Sequence, residues 1–153
     1  MIVTLLGTNG WFDTENGQTM CTLIRAQEYS IILDAGYGIR RVKPLIDFSK
    51  PTFLLLSHMH LDHTIGLHTL DYIQFQQPVK IVVPAGQKQA FEELVRPPYT
   101  NPWKRMVPEG SELLDTETIC QACLGINPIL YRHDREICTI MLPSCRIDMH
   151  RSR

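Results

Sequence analysis

No stretch of this 153-residue sequence holds the roughly 18 consecutive apolar residues that a membrane-spanning helix needs. The first residues, Met1-Ile2-Val3-Thr4-Leu5-Leu6, have neither a basic start nor a long apolar segment. No signal peptide is therefore expected, and the cytoplasm is the expected compartment. Charge of one sign is also missing: 15 Lys and Arg stand against 16 Asp and Glu, for a net charge of -1. That argues against a protein that coats nucleic acid by mass electrostatic attraction. An enzyme that grips a nucleic acid at one local patch remains compatible with it. Cysteine is sparse and odd in number, with Cys21, Cys120, Cys123, Cys138 and Cys145. An odd count in a reducing compartment speaks against a disulfide framework. Internal repeats and low-complexity segments are absent from the sequence.

The composition suits an ordinary globular domain: 44% of residues are hydrophobic and 20% charged. The chain is long enough to bury a sizeable core. Ile2 to Leu6 reads as a strand that ends at Gly7-Thr8-Asn9-Gly10, and Asn16-Gly17 marks a turn. Thr19 to Ala26 and Ser30 to Leu33 read as a hairpin across Gln27-Glu28-Tyr29. Asp34-Ala35-Gly36 breaks that run, and a helix is expected over Ile39 to Phe48 despite Pro44. Thr52 to Leu56 is apolar at almost every position, as in a strand buried on both faces. A helix over Thr64 to Tyr72, a strand over Val79 to Val83 and a helix through Val95 follow. Arg96 to Gly110 carries four prolines and reads as a long loop. Glu112 to Ile119 suits a strand or the start of a helix. Beyond it, Cys120 to Arg153 shows no clean period. The order of elements indicates an α/β (α+β) domain, with 1–119 as the main unit and 120–153 as a cysteine-containing tail.

One segment concentrates the chemistry. Ser57-His58-Met59-His60-Leu61-Asp62-His63 holds four potential metal ligands in six positions, directly after a buried strand. Side chains in an extended backbone alternate, so His58 and His60 project to one side. The turn into the next helix can swing Asp62 and His63 toward a second point nearby. The segment can therefore serve two cations. Imidazole and carboxylate suit zinc, and also iron or manganese.

His58-x-His60-x-Asp62-His63 after Leu54-Leu55-Leu56-Ser57 resembles the signature of the metallo-β-lactamase-fold hydrolases. Leu6-Gly7-Thr8 with Asn9-Gly10, Ile32-Leu33-Asp34-Ala35-Gly36 and Ile65-Gly66-Leu67 resemble the ribonuclease Z-like branch. The resemblance covers about Met1 to Val95. It implies the N-terminal half of an αββα sandwich, a mixed sheet with flanking helices. It implies that His58 and His60 hold a first zinc and Asp62 and His63 a second, with Asp62 also the catalytic, proton-handling residue. Asp34 would brace the ligands; a plain turn residue is the alternative. The implied reaction is metal-assisted hydrolysis of a phosphodiester or RNA. Arg40, Arg41 and Lys43 read either as a phosphate-facing patch or as a solvated helix face.

The resemblance also implies ligands from a second half: a further histidine, a bridging aspartate and a late histidine. The chain is too short for both halves. Asp148 and His150 lack the expected context, and His68 reads as a helix residue. His133 stands at a sequence distance that suits the further histidine. The change of character after about residue 119 fits a frameshifted or truncated reading frame. A zinc clip of Cys120, Cys123, Cys138 and Cys145 is disfavoured, because six residues separate the last two. A half sandwich would leave its inner sheet face open to water, so a homodimer through that face is a further expectation. The alternative to an active hydrolase is an incomplete, inactive fragment that binds metal weakly.

Overall fold

The computed structural model describes residues 1–116, 137–142 and 145–150. The expected boundary near residue 119, Cys120, Cys123 and His133 lie outside the described residues. Six strands form one sheet: β1 (Ile2–Gly7), β2 (Cys21–Arg25), β3 (Ser30–Leu33), β4 (Thr52–Leu55), β5 (Val79–Val83) and β6 (Glu112–Asp115). Their spatial order follows their chain order. The β1/β2 and β2/β3 pairs are antiparallel, and β3 through β6 run parallel. A second, two-stranded antiparallel sheet joins β7 (Ile137–Leu142) and β8 (Cys145–His150).

Parallel strands need crossovers, and the crossovers here carry short helices. These are α1 (Leu61–Thr64) and α2 (Leu70–Ile73), joined by a 3-10 turn at Ile65–Thr69, then α3 (Lys88–Leu94) and α4 (Trp103–Met106). They cover the sheet face that carries Leu23, Ile32, Leu54 and Ile81, adjacent across the register. Ile39, Val42, Leu67, Leu70, Ile73, Phe91 and Trp103 complete that core. Free Cys21 is buried in it as well.

The opposite face departs from the expectation of an open surface. Its central residues Ile24, Ile31, Leu33, Leu55 and Val82 are all buried. Withdrawing aliphatic side chains from water is the main favourable term in folding, and this face obeys it. Solvent reaches its β1 margin, where Val3 is 54% and Leu5 66% exposed.

Two helical expectations and one loop expectation are also corrected. Over Ile39 to Phe48 the chain makes a 3-10 helix at Tyr37–Arg41 and then turns. Ile39, Val42 and Ile46 point inward with helical spacing, but Pro44 carries no amide to continue a helix. The expected helix over Thr64 to Tyr72 is split. The Gly66 amide donates to the Ala35 carbonyl (2.7 Å) instead of back along the helix. In the proline-rich 96–110 segment, α4 forms behind Pro102, whose carbonyl accepts the Arg105 amide (2.8 Å).

Candidate metal centre

Register places the site. Leu33 of β3 pairs with Leu55 of β4 in parallel, so both chains leave the sheet at the same end. Residues just past the carboxyl ends of parallel strands converge on a common crevice. Asp34 is the first residue after β3, with a left-handed backbone (φ 59°), and is 3% exposed. Its carboxylate accepts the Ser57 amide at 2.7 Å and the Ser57 hydroxyl at 2.8 Å, both on Oδ1. Oδ2 lies 2.8 Å from His63 Nδ1.

The chain then runs extended through the motif and turns at His60. The His60 carbonyl accepts the His63 amide (3.0 Å) and the Thr64 hydroxyl (2.9 Å), and α1 begins. That turn brings Asp62 and His63 back toward His58. The His63 carbonyl in turn accepts the Ala35 amide (2.7 Å), locking α1 to the end of β3. There is no room for a side chain at Gly36. A Cβ there would collide with the Asp62 carbonyl and lie within 2.7 Å of the Met20 nitrogen.

His58, Asp62 and His63 can each offer one ligand atom, and those atoms lie within 4.8 Å of one another. The His58 and His63 rings are 4.1 Å apart by centroid. His60 stands beside this trio, its ring 4.6 Å from that of His58, as expected for residues two apart in extended chain. His58 Nδ1 lies 3.0 Å from the Ser57 hydroxyl. His63 Nε2 lies 3.4 Å from Asp62 Oδ2. Both rings thus engage a brace through Nδ1, and that of His63 presents Nε2 to Asp62. This is how ligating histidines are oriented.

Electrostatics reinforce the arrangement. Burial, then the neighbouring His63, push the His58 imidazolium down to about 4, so the ring is neutral and able to ligate at pH 7. Partial burial pushes the Asp62 carboxyl up, but the Trp11 amide and His63 outweigh it and hold the group below its ordinary range. The Trp11 N–H donates to Asp62 Oδ2 at 3.1 Å. The donor set, two imidazoles and a carboxylate, fits zinc by its chemistry.

Among the other residues singled out by sequence, Arg41 donates to the Leu6 carbonyl (3.2 Å). Lys43 donates to the Tyr72 carbonyl (2.9 Å) and Gln74 (2.6 Å). Arg40 lies over the Tyr37 ring. Two of the three cations therefore serve the backbone. His68 is exposed, on the 3-10 turn. Asp148 and His150 lie on β8, opposite Thr139 and Ile137. Sequence reasoning missed two contributors. One is the Ser57 hydroxyl, whose only signal was its place between strand and motif. The other is the main-chain amide of Trp11, which carries no sequence signal at all.

Residues 14–119 match the profile of the Metallo-beta-lactamase superfamily. Among curated proteins, the ribonuclease Z of Natronomonas pharaonis is 27% identical over 100 residues, 61% of this chain and 32% of that protein. The ribonuclease Z of Nanoarchaeum equitans is 29% identical over 101 residues, with the same two shares. The chain thus spans about a third of the length of the curated relatives it matches. The crystal structure of human tRNase Z, short form, superposes with a TM-score of 0.59 at 17% identity, covering 97% of this chain and 68% of that one. The metallo-beta-lactamase fold protein YhfI from Bacillus subtilis gives 0.52 at 24% identity, covering 64% and 42%. These two likenesses show a shared fold. Among the described residues, no helix is long and apolar enough to cross a membrane.

Proposed function

The chain belongs to the metallo-beta-lactamase superfamily, and we propose that it is the metal-holding part of a zinc-dependent phosphodiesterase that acts on RNA in the cytoplasm. One observation carries this reading. His58, Asp62 and His63 converge within 4.8 Å while Ser57 and Asp34 engage the Nδ1 atoms of both rings. That is a donor set already braced for a cation. The curated relatives named ribonuclease Z support RNA as the substrate class.

His58, Asp62 and His63 would hold one zinc, and His60, adjacent to His58, would extend the site toward a second. When bound, zinc supplies Lewis acidity and a water whose pKa falls to about 7. The protein's own groups do the rest. Asp34 fixes the orientation of His63, and Ser57 that of His58. Asp62 stays ionised at neutral pH, is 18% exposed, and is anchored by the Trp11 amide. It is the proton acceptor at the edge of the site.

The test is elemental analysis of the purified chain after exhaustive buffer exchange, followed by hydrolysis of a model phosphodiester. At least one zinc per chain, and turnover that Asp62→Ala abolishes, is the expected result. Metal well below one per chain with no turnover would overturn the reading. The second reading is an incomplete unit that binds metal weakly and acts through pairing. The exposed Val3 and Leu5 on edge strand β1 favour it. A concentration-dependent dimer by light scattering, with full metal content in the dimer alone, would identify it.

A further inference from the structure

The loop between β1 and β2 ends in two aromatic side chains that the core does not use. Trp11 is 89% exposed and Phe12 69%. Large aromatic rings gain from leaving water, so two adjacent ones kept in it call for a reason. The loop that holds them is rigidly built. The Asn9 amide donates to the Gln18 carbonyl (3.0 Å) and the Thr14 amide to the Gly17 carbonyl (2.8 Å). Asn9 Nδ2 donates to the Thr14 hydroxyl (3.0 Å), and Asp13 accepts the Thr19 amide (2.6 Å). Trp11 itself sits in the left-handed backbone region (φ 66°), a conformation that bulky residues avoid unless their surroundings impose it. Two hydrogen bonds impose it. The Trp11 N–H reaches Asp62 Oδ2, and the Phe12 amide closes a tight turn onto the Gly10 carbonyl (2.9 Å). The Trp11 ring therefore starts one residue's backbone away from the candidate metal centre.

We infer that Trp11, with Phe12 beside it, is a stacking platform for an unpaired base of the RNA next to the scissile phosphodiester. The inference rests on the reading of the site as an RNA phosphodiesterase. Every base has a flat face, so such a platform grips single strands without reading sequence. It suits a protein with no net positive charge, in which Arg41 and Lys43 serve backbone carbonyls. The main-chain amide of Trp11 holds Asp62, so the ring is the part that a substitution removes and the anchor stays.

The experiment compares binding of an octaadenylate and of an octamer with the same phosphates but abasic sugars to the zinc-loaded 153-residue chain. Removing one stacked base contact weakens single-strand binding by about 5- to 150-fold. Trp11→Ala is expected to weaken octaadenylate binding by about tenfold and leave the abasic octamer nearly unchanged, while Trp11→Phe retains most of the affinity. The protein has two tryptophans, and Trp103 is buried. Octaadenylate should therefore quench the solvent-exposed emission, and Trp11→Phe should remove that quench. Zinc content is measured for every variant. Full zinc content with unchanged octaadenylate affinity in Trp11→Ala overturns the platform and leaves the hydrolase reading standing. Equal losses for both octamers overturn the platform as a base-stacking site. A wild-type chain that binds neither octamer overturns the RNA reading and the platform together.

Discussion

Replacing Asp34 by Asn should separate the fold of this protein from its metal affinity. The carboxylate receives three donors: the Ser57 amide, the Ser57 hydroxyl and the His63 ring nitrogen, at 2.7–2.8 Å. An ionised carboxylate only accepts, so it requires His63 to carry its proton on Nδ1. The lone pair on Nε2 then faces Asp62 and a cation. In Asp34→Asn the amide oxygen can keep the Ser57 amide, but the NH2 group is left to face His63 Nδ1. A donor there favours the opposite tautomer, with the proton on Nε2, where a metal would bind. Loss of such a brace lowers metal affinity by about 10- to 100-fold, or roughly 1.4–2.7 kcal/mol. The fold should suffer less, because shape and one strong bond survive. Asp34→Ala differs, since it removes the carboxylate that accepts the Ser57 amide and hydroxyl at a part-buried position, at about 1–3 kcal/mol. In a chain of this size that lowers the midpoint of thermal unfolding by roughly 3–10 °C. Zinc affinity is measured by competition with a chromogenic chelator, and the His63 tautomer by nitrogen-15 NMR. Zinc affinity of Asp34→Asn within threefold of the wild type, with His63 still protonated on Nδ1, would show that Asp34 does not set the metal-binding tautomer.

Three further outcomes are expected. Burial lowers the His58 pKa from 6.5 to about 4, so the unfolded chain binds this proton more readily. The metal-free protein should therefore be most stable above pH 6.5 and lose stability as the pH falls through about 4, a dependence that His58→Gln flattens in pH-resolved denaturant titrations. Gly66→Ala places a methyl group against the Gly36 and Ala35 carbonyls and Ile39. It should cost about 1–3 kcal/mol in chemical denaturation and loosen the tie between α1 and β3. Phe91 is fully buried with its ring edge-on to Trp103, so Phe91→Ala should cost about 3–5 kcal/mol and shift the Trp103 emission.

The sequence made some of this structure easy to read and hid the rest, for physical reasons. β4 and β5 are central strands covered on both faces, and their unbroken apolar runs announced them. The trio was legible because histidines and an aspartate gathered within six positions have few other uses after a buried strand. Asp34 was visible as a residue, but its three hydrogen bonds depend on the β3/β4 register. The misplaced helices share a cause. Inward residues at helical spacing, such as Ile39, Val42 and Ile46, also fit a 3-10 helix followed by turns, and only a tertiary bond such as that from Gly66 to Ala35 decides. On β8, Cys145, Ile147 and Met149 alternate with Arg146, Asp148 and His150. That is a strand signal, which the lack of period over the wider tail obscured.

The order of the sheet has a consequence for how the molecule is made. Each strand from β2 to β6 pairs with the strand synthesised just before it. A nascent chain leaving the ribosome can add each strand to a partner already in place, and no early segment has to wait, unpaired, for a distant one. The trio and its side-chain braces all lie between Asp34 and His63, and Trp11 earlier still. The ligands of the trio are therefore translated before β5 and β6. A cation captured at that stage would act as a rivet on a growing sheet, holding β3 and β4 together while the remaining strands arrive.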